Sequence, residues 1–211
     1  METANLIILR KTPYGETSLI ISGLSDDFGK LDLMVKGARA TGKKKFPAID
    51  LFREVQITFS EKGKSELHTA TNAEVIRAND ALANSTEAFK FATIISSFIL
   101  KNTAAELPCP LTYESLRHIL ENLAIIGHKQ SAPWSIEECS VILKTTFLYE
   151  NGMLPEDFNE NPELNRKTQE FLHNLIECGN EGTNLQNIPS QALHKINKWL
   201  NSLIRYQQLK Y

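Results

Sequence analysis

Residues 4–35 read ANLIILRKTPYGETSLIISGLSDDFGKLDLMV: three apolar runs, at 4–11, 17–24 and 31–35, separated by TPYGE at 12–16 and DDFGK at 26–30. Pro and Gly punctuate these interruptions as turns, and short apolar runs bounded by turns read as strands. Further on, Val55, Ile57 and Phe59 alternate with Gln56, Thr58 and Ser60, the period of two of a strand with one buried face. EKGK at 61–64 predicts a turn, and looser alternation over 65–71 supplies the second arm of a hairpin. Five strands at these intervals have the count and scale of a small closed barrel of the OB type. An open sandwich satisfies the same periodicity.

Beyond Asn79 the period changes. Ala88, Phe91, Ala92, Ile95, Phe98 and Ile99 step by three and four, giving one helix face over about 85–103. Pro108 and Pro110 introduce a second helix running to Gly127. SIEE at 135–138 is a capping box opening a third helix, which Asn151-Gly152 closes. Asn161-Pro162 predicts the start of a fourth with Gly179 as its stop, and Ser190 is the expected cap of a fifth. Each helix has one apolar face, so the five should pack as a bundle. The expected fold is therefore α+β in two domains. A five-stranded OB-type β-barrel over 1–78 is followed by an α-helical bundle over 79–211, joined by a short boundary near 76–84.

Composition narrows the function. The 211 residues include 23 Lys or Arg and 25 Asp or Glu, a formal charge of −2. Three cysteines, at 109, 139 and 178, offer neither a disulfide framework nor a Cys-x-x-Cys metal site. The longest apolar stretch, FATIISSFIL at 91–100, is half a membrane span in length. The N-terminus has neither the basic lead nor the apolar core of a secretory signal. A cytoplasmic protein is expected.

The near-neutral total conceals a local excess. KLDLMVKGARATGKKK at 30–45 holds six cations, Lys30, Lys36, Arg39, Lys43, Lys44 and Lys45, against one acid, Asp32. Residues 81–211 hold 11 basic and 14 acidic side chains. A lysine-rich run is ordinarily a solvated loop. Here Phe46 and Phe52 follow closely, and single-stranded nucleic acid is bound by cations that track phosphates beside rings that stack on bases. At 100° per residue, Lys195, Lys198 and Arg205 form a basic stripe opposite Leu193, Ile196, Leu200, Leu203 and Ile204, a secondary basic surface on the last helix.

Residues 9–39, LRKTPYGETSLIISGLSDDFGKLDLMVKGAR, resemble the N-terminal segment of the RecO family of bacterial recombination mediators. An apolar strand, a Tyr-Gly-Glu turn, a second apolar strand, a glycine turn and a Lys-Gly-Ala-Arg element follow in the family's order. LYENGMLPEDF at 148–158 is similar to the leucine-rich helix end and Gly-x-x-Pro turn of the family's helical domain. The resemblance implies an OB-fold followed by a mostly helical domain, acting without catalysis. Members bind single- and double-stranded DNA and anneal complementary strands. They engage single-stranded-DNA-binding protein and work with RecR to load RecA on coated strands, so a nucleoid-associated location is implied. Many members carry a four-cysteine zinc site after the Gly-x-x-Pro turn. The matching stretches here, 159–162 and 178–183, offer Cys178 alone, so neither zinc nor another cofactor is expected.

On this reading Arg10, Lys11, Lys36, Arg39, Lys43, Lys44 and Lys45 contact phosphates, and Phe46 or Phe52 stacks on bases. Tyr14 and Glu16 lie in the recognisable turn; Tyr14 either stacks on a base or touches a partner, or else plugs the barrel end. The acidic helical domain is the expected protein-binding module. An OB-fold RNA-binding adaptor is the alternative that the same charge run would serve. A metal-dependent nuclease would need clustered carboxylates, but Asp26 and Asp27 sit in a turn where Asp serves backbone donors. The five histidines show no ligand spacing, and no P-loop or nucleophile elbow occurs.

Overall fold

A computed structural model of the chain describes residues 1–40, 46–60, 67–154, 166–185 and 188–210, with 166–169 described by backbone alone. Five strands, β1 (Glu2–Tyr14), β2 (Ser18–Ser25), β3 (Gly29–Val35), β4 (Glu54–Ser60) and β5 (Leu67–Arg77), close into a barrel of order β1-β2-β3-β5-β4. All pairs are antiparallel except β3 with β5. Closure removes the open sandwich and leaves no unpaired edge. The first half of β1 pairs with β4 and the second half with β2, the register shifting between Ile8 and Arg10. The EKGK turn lies outside the described residues.

Alternation fills the barrel. Leu6 and Ile8 of β1, Ile21 of β2, Leu31, Leu33 and Val35 of β3, and Val55, Ile57 and Phe59 of β4 form one cluster, each at most 2% exposed. Ile7 and Leu9 point the other way, and with Leu24 and Phe52 they join the helical core. Half of the outer wall of β1–β2 is thus closed by helices, so only part of the barrel surface is free to meet a ligand.

The helices are α1 (Thr86–Asn102), α2 (Pro110–Gly127), α3 (Ile136–Glu150), α4 (Arg166–Glu181) and α5 (Ser190–Tyr206), preceded by a short 3-10 turn at Asp80–Asn84. Ser85 caps α1 by accepting the Ala88 N–H, and both halves of the Ser135–Glu138 capping box form. The α2 N-terminus is satisfied from another helix: Glu150 accepts the Leu111 and Thr112 N–H groups, each at 2.8 Å.

Two helix boundaries differ from expectation. Gly179 lies inside α4, because a β-carbon there would sit 2.8 Å from Ile142, with Ser115 and Thr146 close behind; it permits close helix packing. The chain leaves α4 at Gly182, whose φ of +70° is the left-handed conformation of a helix stop. Ser190 is the first helical residue of α5, with Pro189 in the capping position and no side-chain cap bond.

Between barrel and bundle runs a polar seam inside an apolar one. Glu54, 5% exposed, accepts hydrogen bonds from the Tyr113 hydroxyl at 2.9 Å and from Arg77 at 2.9 Å, and Arg77 also binds Glu121 of α2. Burial, reinforced by the Glu54 carboxylate, pushes the Tyr113 phenol well above its ordinary value and keeps it a donor. A buried carboxylate without such partners would cost several kcal/mol, on the order given by ion desolvation. The non-helical connection between α1 and α2 also touches the barrel at Gly29, where a β-carbon would meet the Leu107 carbonyl at 1.9 Å.

Candidate nucleic-acid interface

The free outer face of β1–β3 is built in rows by strand register. Arg10, Ser22 and Asp32 face one another across the three strands; Thr12, Ile20 and Met34 form the next row; Tyr14 and Ser18 close it at the β1–β2 turn. Their inward neighbours Ile21, Leu33 and Val35 are fully buried, whereas Thr12 is exposed and Ile20 and Met34 are half-buried. The result is a shallow platform with apolar and hydroxyl groups at its centre. Tyr14, 52% exposed, stands at its lip, so it does not plug the barrel end.

Cations rim this platform. Lys36 directly follows β3, is exposed, and has no side-chain partner among the described residues. Arg39 is exposed and its guanidinium donates to the Gly15 carbonyl at 3.3 Å, while its backbone N–H donates to the Thr17 carbonyl at 2.8 Å. The Lys-Gly-Ala-Arg element is therefore docked on the turn that presents Tyr14. Arg10 lies on the same face and donates to Ser22 Oγ at 3.0 Å. Lys11 is opposite the core residue Ile21, half-buried and bound to Asp50 in the crossover between β3 and β4. Burial raises the Asp50 carboxyl, but the Lys11 bond and the Leu51 N–H outweigh it and hold it below the ordinary value.

Lys43, Lys44 and Lys45 lie outside the described residues. The two expected stacking rings are core residues. Phe46 is 7% exposed and belongs to the barrel cluster; Phe52 is 4% exposed, belongs to the helical cluster, and meets Phe89 edge to face at 5.6 Å. Neither ring offers a face to a base. Phe52 has φ of +63°, and its N–H donates to the Ile8 carbonyl of β1 at 2.8 Å. The crossover is turned inward there: Phe46 fills the barrel and Phe52 packs between barrel and bundle. The aromatic group that is available, Tyr14, is found by carrying the alternation of β1 past the register shift.

The three cations of the secondary surface, Lys195, Lys198 and Arg205, are exposed on α5, opposite the buried Leu193, Ile196, Leu200 and Ile204. None has a side-chain partner among the described residues. Asp26 accepts from Asn5, Ser25 and the Asp27 N–H, which is the turn role read for it.

The described thiols lie in the core. Cys109, Cys139 and Cys178 are all buried, and among the described residues no group of three or more Cys, His, Asp or Glu could hold a metal ion. Burial pushes the Cys109 thiol up to about 12 and raises Cys139 as well, as expected of small core residues. Residues 159–162 lie outside the described set. Among the described residues no helix is long and apolar enough to cross a membrane.

Residues 1–79 match the family model for the recombination protein O N-terminal domain. The barrel is similar to the RecO N-terminal domain over its whole length. Similar proteins, each named DNA repair protein RecO, include that of Burkholderia pseudomallei (strain 1710b), 31% identical over 121 residues. That of Vibrio parahaemolyticus is 29% identical over 117 residues, and that of Listeria monocytogenes serotype 4a is 28% identical over 123. These matches take in 57, 56 and 58% of this chain and 42, 46 and 48% of the relatives, so the chain spans less than half the length of each. The barrel is accordingly the part where the family match and the geometry coincide.

Proposed function

We propose that this chain is a non-catalytic DNA-repair and recombination mediator. Its barrel binds single- and double-stranded DNA on the outer face of β1–β3. Phosphates are neutralised by Lys36, Arg39, Arg10 and the lysines at 43–45, while Tyr14 stacks on an unpaired base over Ile20 and Met34. The observation that carries this reading is the docking of the unpaired Lys36 and the Arg39 loop beside the exposed Tyr14 turn, on a barrel of the RecO N-terminal type. Affinity on such a face is mostly electrostatic and weakly sequence-dependent. Two strands screened by cations with their bases left free would anneal.

The helical layer, net acidic and with its own core, is the surface proposed for RecR and single-stranded-DNA-binding protein, with RecA loading as the indirect result. No zinc or other cofactor enters the scheme. The direct test is annealing of complementary strands coated with their cognate single-stranded-DNA-binding protein. Acceleration by the full chain, lost in the Lys36→Ala/Arg39→Ala variant, supports the reading; no acceleration contradicts it. RNA that competes as well as DNA of equal length would favour an RNA-binding adaptor instead.

A further inference from the structure

The first row of the platform carries a carboxylate on its β3 strand. Asp32 is the single acid of the basic stretch 30–45, and strand register places it directly across β2 from Arg10, with Ser22 between them. The three side chains form a relay. Ser22, 1% exposed, accepts a hydrogen bond from Arg10 at 3.0 Å and donates its own proton to Asp32. The Arg10 guanidinium lies 4.0 Å from the Asp32 carboxylate, with side chains 58% and 33% exposed. Lys36 and Arg39, by contrast, meet no carboxylate among the described residues.

We propose that Asp32 is a built-in competitor for phosphate. It holds Arg10 as an internal ion pair through Ser22, so that a DNA phosphate reaching Arg10 must displace a carboxylate rather than water and counterions alone. Asp32 is then a determinant of affinity on the face proposed above, and the inference rests on that reading. The physical consequence is a face that engages phosphates strongly at Lys36 and Arg39 and weakly along the Arg10 row. A strand is held by Lys36 and Arg39 but is released readily from Arg10, which suits a protein that must let strands pair and depart. A carboxylate at this position also repels phosphate directly, within a Debye length of about 10 Å at 0.1 M salt.

The test is a fluorescence-anisotropy titration of the full chain with single-stranded oligonucleotide at several salt concentrations, using Asp32→Asn, Arg10→Ala and the double variant. Asparagine keeps an acceptor for Ser22 and removes only the charge. The expected result is that Asp32→Asn tightens binding by about two- to fivefold, the fold-change of an exposed ion pair. It should also steepen the slope of log K against log salt by about 0.7, the share of one further phosphate on a single strand. The gain should vanish in the Arg10→Ala background, as a coupled pair requires. Glu177→Gln, an exposed acid on α4, controls for net charge and should change affinity far less.

Unchanged or weaker binding by Asp32→Asn overturns the proposal, the latter because Asp32 would then only position Arg10. An equal gain in the Arg10→Ala background, or in Glu177→Gln, also overturns it by showing a general charge effect. Failure of the reading beneath it has a different signature: Lys36→Ala and Arg39→Ala would leave affinity unchanged, meaning that DNA does not use this face at all.

Discussion

Two groups of cations, one at the seam between barrel and helices and one on the barrel's outer face, are treated in opposite ways. At the seam with α2, Arg77 binds Glu54 and Glu121, and Arg117 binds Glu114 at 2.5 Å and Glu121 at 3.3 Å, so each guanidinium there has carboxylate partners from a neighbouring element or its own helix. On the outer face of β1–β3, Lys36 has no partner among the described residues and Arg39 only a carbonyl. Charge that is matched by carboxylates holds two layers together. Charge left facing water beside an exposed tyrosine is available to something outside the chain. Arg10 stands between the two cases, exposed yet tied to Ser22 and Asp32.

The contrast is broken most severely by Phe52→Ala. If this ring is the core wedge between barrel and bundle, its removal costs about 3–5 kcal/mol in denaturant unfolding, while the remaining folded protein keeps its DNA affinity. A stacking ring would give the reverse: little loss of stability and weaker binding.

Tyr14→Ala should have the opposite profile. With 52% of the tyrosine exposed, stability changes little, but single-stranded DNA is bound about tenfold more weakly, within the range for one base–aromatic stack. Duplex affinity stays near its starting value because paired bases do not reach the ring. Equal losses on both substrates in a filter-binding series would remove Tyr14 as a stacking group.

A smaller effect is expected at the seam. Burial raises the Glu121 carboxyl, yet the bond to His118 and the charges of Arg77 and Arg117 together hold it below its ordinary value of 4.5. A depressed folded value means that its stabilisation is complete above about 4.5 and is lost as pH falls through the folded value. Glu121→Gln should therefore cost about 1 kcal/mol at neutral pH and flatten the acid limb of a Tm-against-pH profile. An acid limb identical to the parent's would show that the seam owes nothing to this charge.

The strand pattern of this fold was readable from residues because alternation is a local property. Leu31, Leu33 and Val35, and likewise Val55, Ile57 and Phe59, are read from their neighbours and are buried as expected. Capping at Ser135 is equally local. What escaped depends on distant partners. Proximity in sequence to the lysine run says nothing of which way Phe46 and Phe52 point; that is decided by strands that close over them. The pairing of Arg10 with Asp32 spans 22 positions, and that of Lys11 with Asp50 spans 39, so a count of cations along the chain overstates the charge free to act. Gly179 was read as a stop because glycine ends helices often, whereas the packing of α4 on α2 and α3 needs the missing β-carbon.

The central claim is that the partnerless rim cations of the β1–β3 face bind a phosphate backbone. Its most direct measurement is the salt dependence of DNA affinity for the parent chain and for Lys36→Ala/Arg39→Ala. The double variant should bind more weakly, with a slope of log K against log salt shallower by about 1.4 on single strands, the share of two phosphates, and an unchanged melting temperature. An unchanged slope and affinity in a folded double variant would contradict that claim.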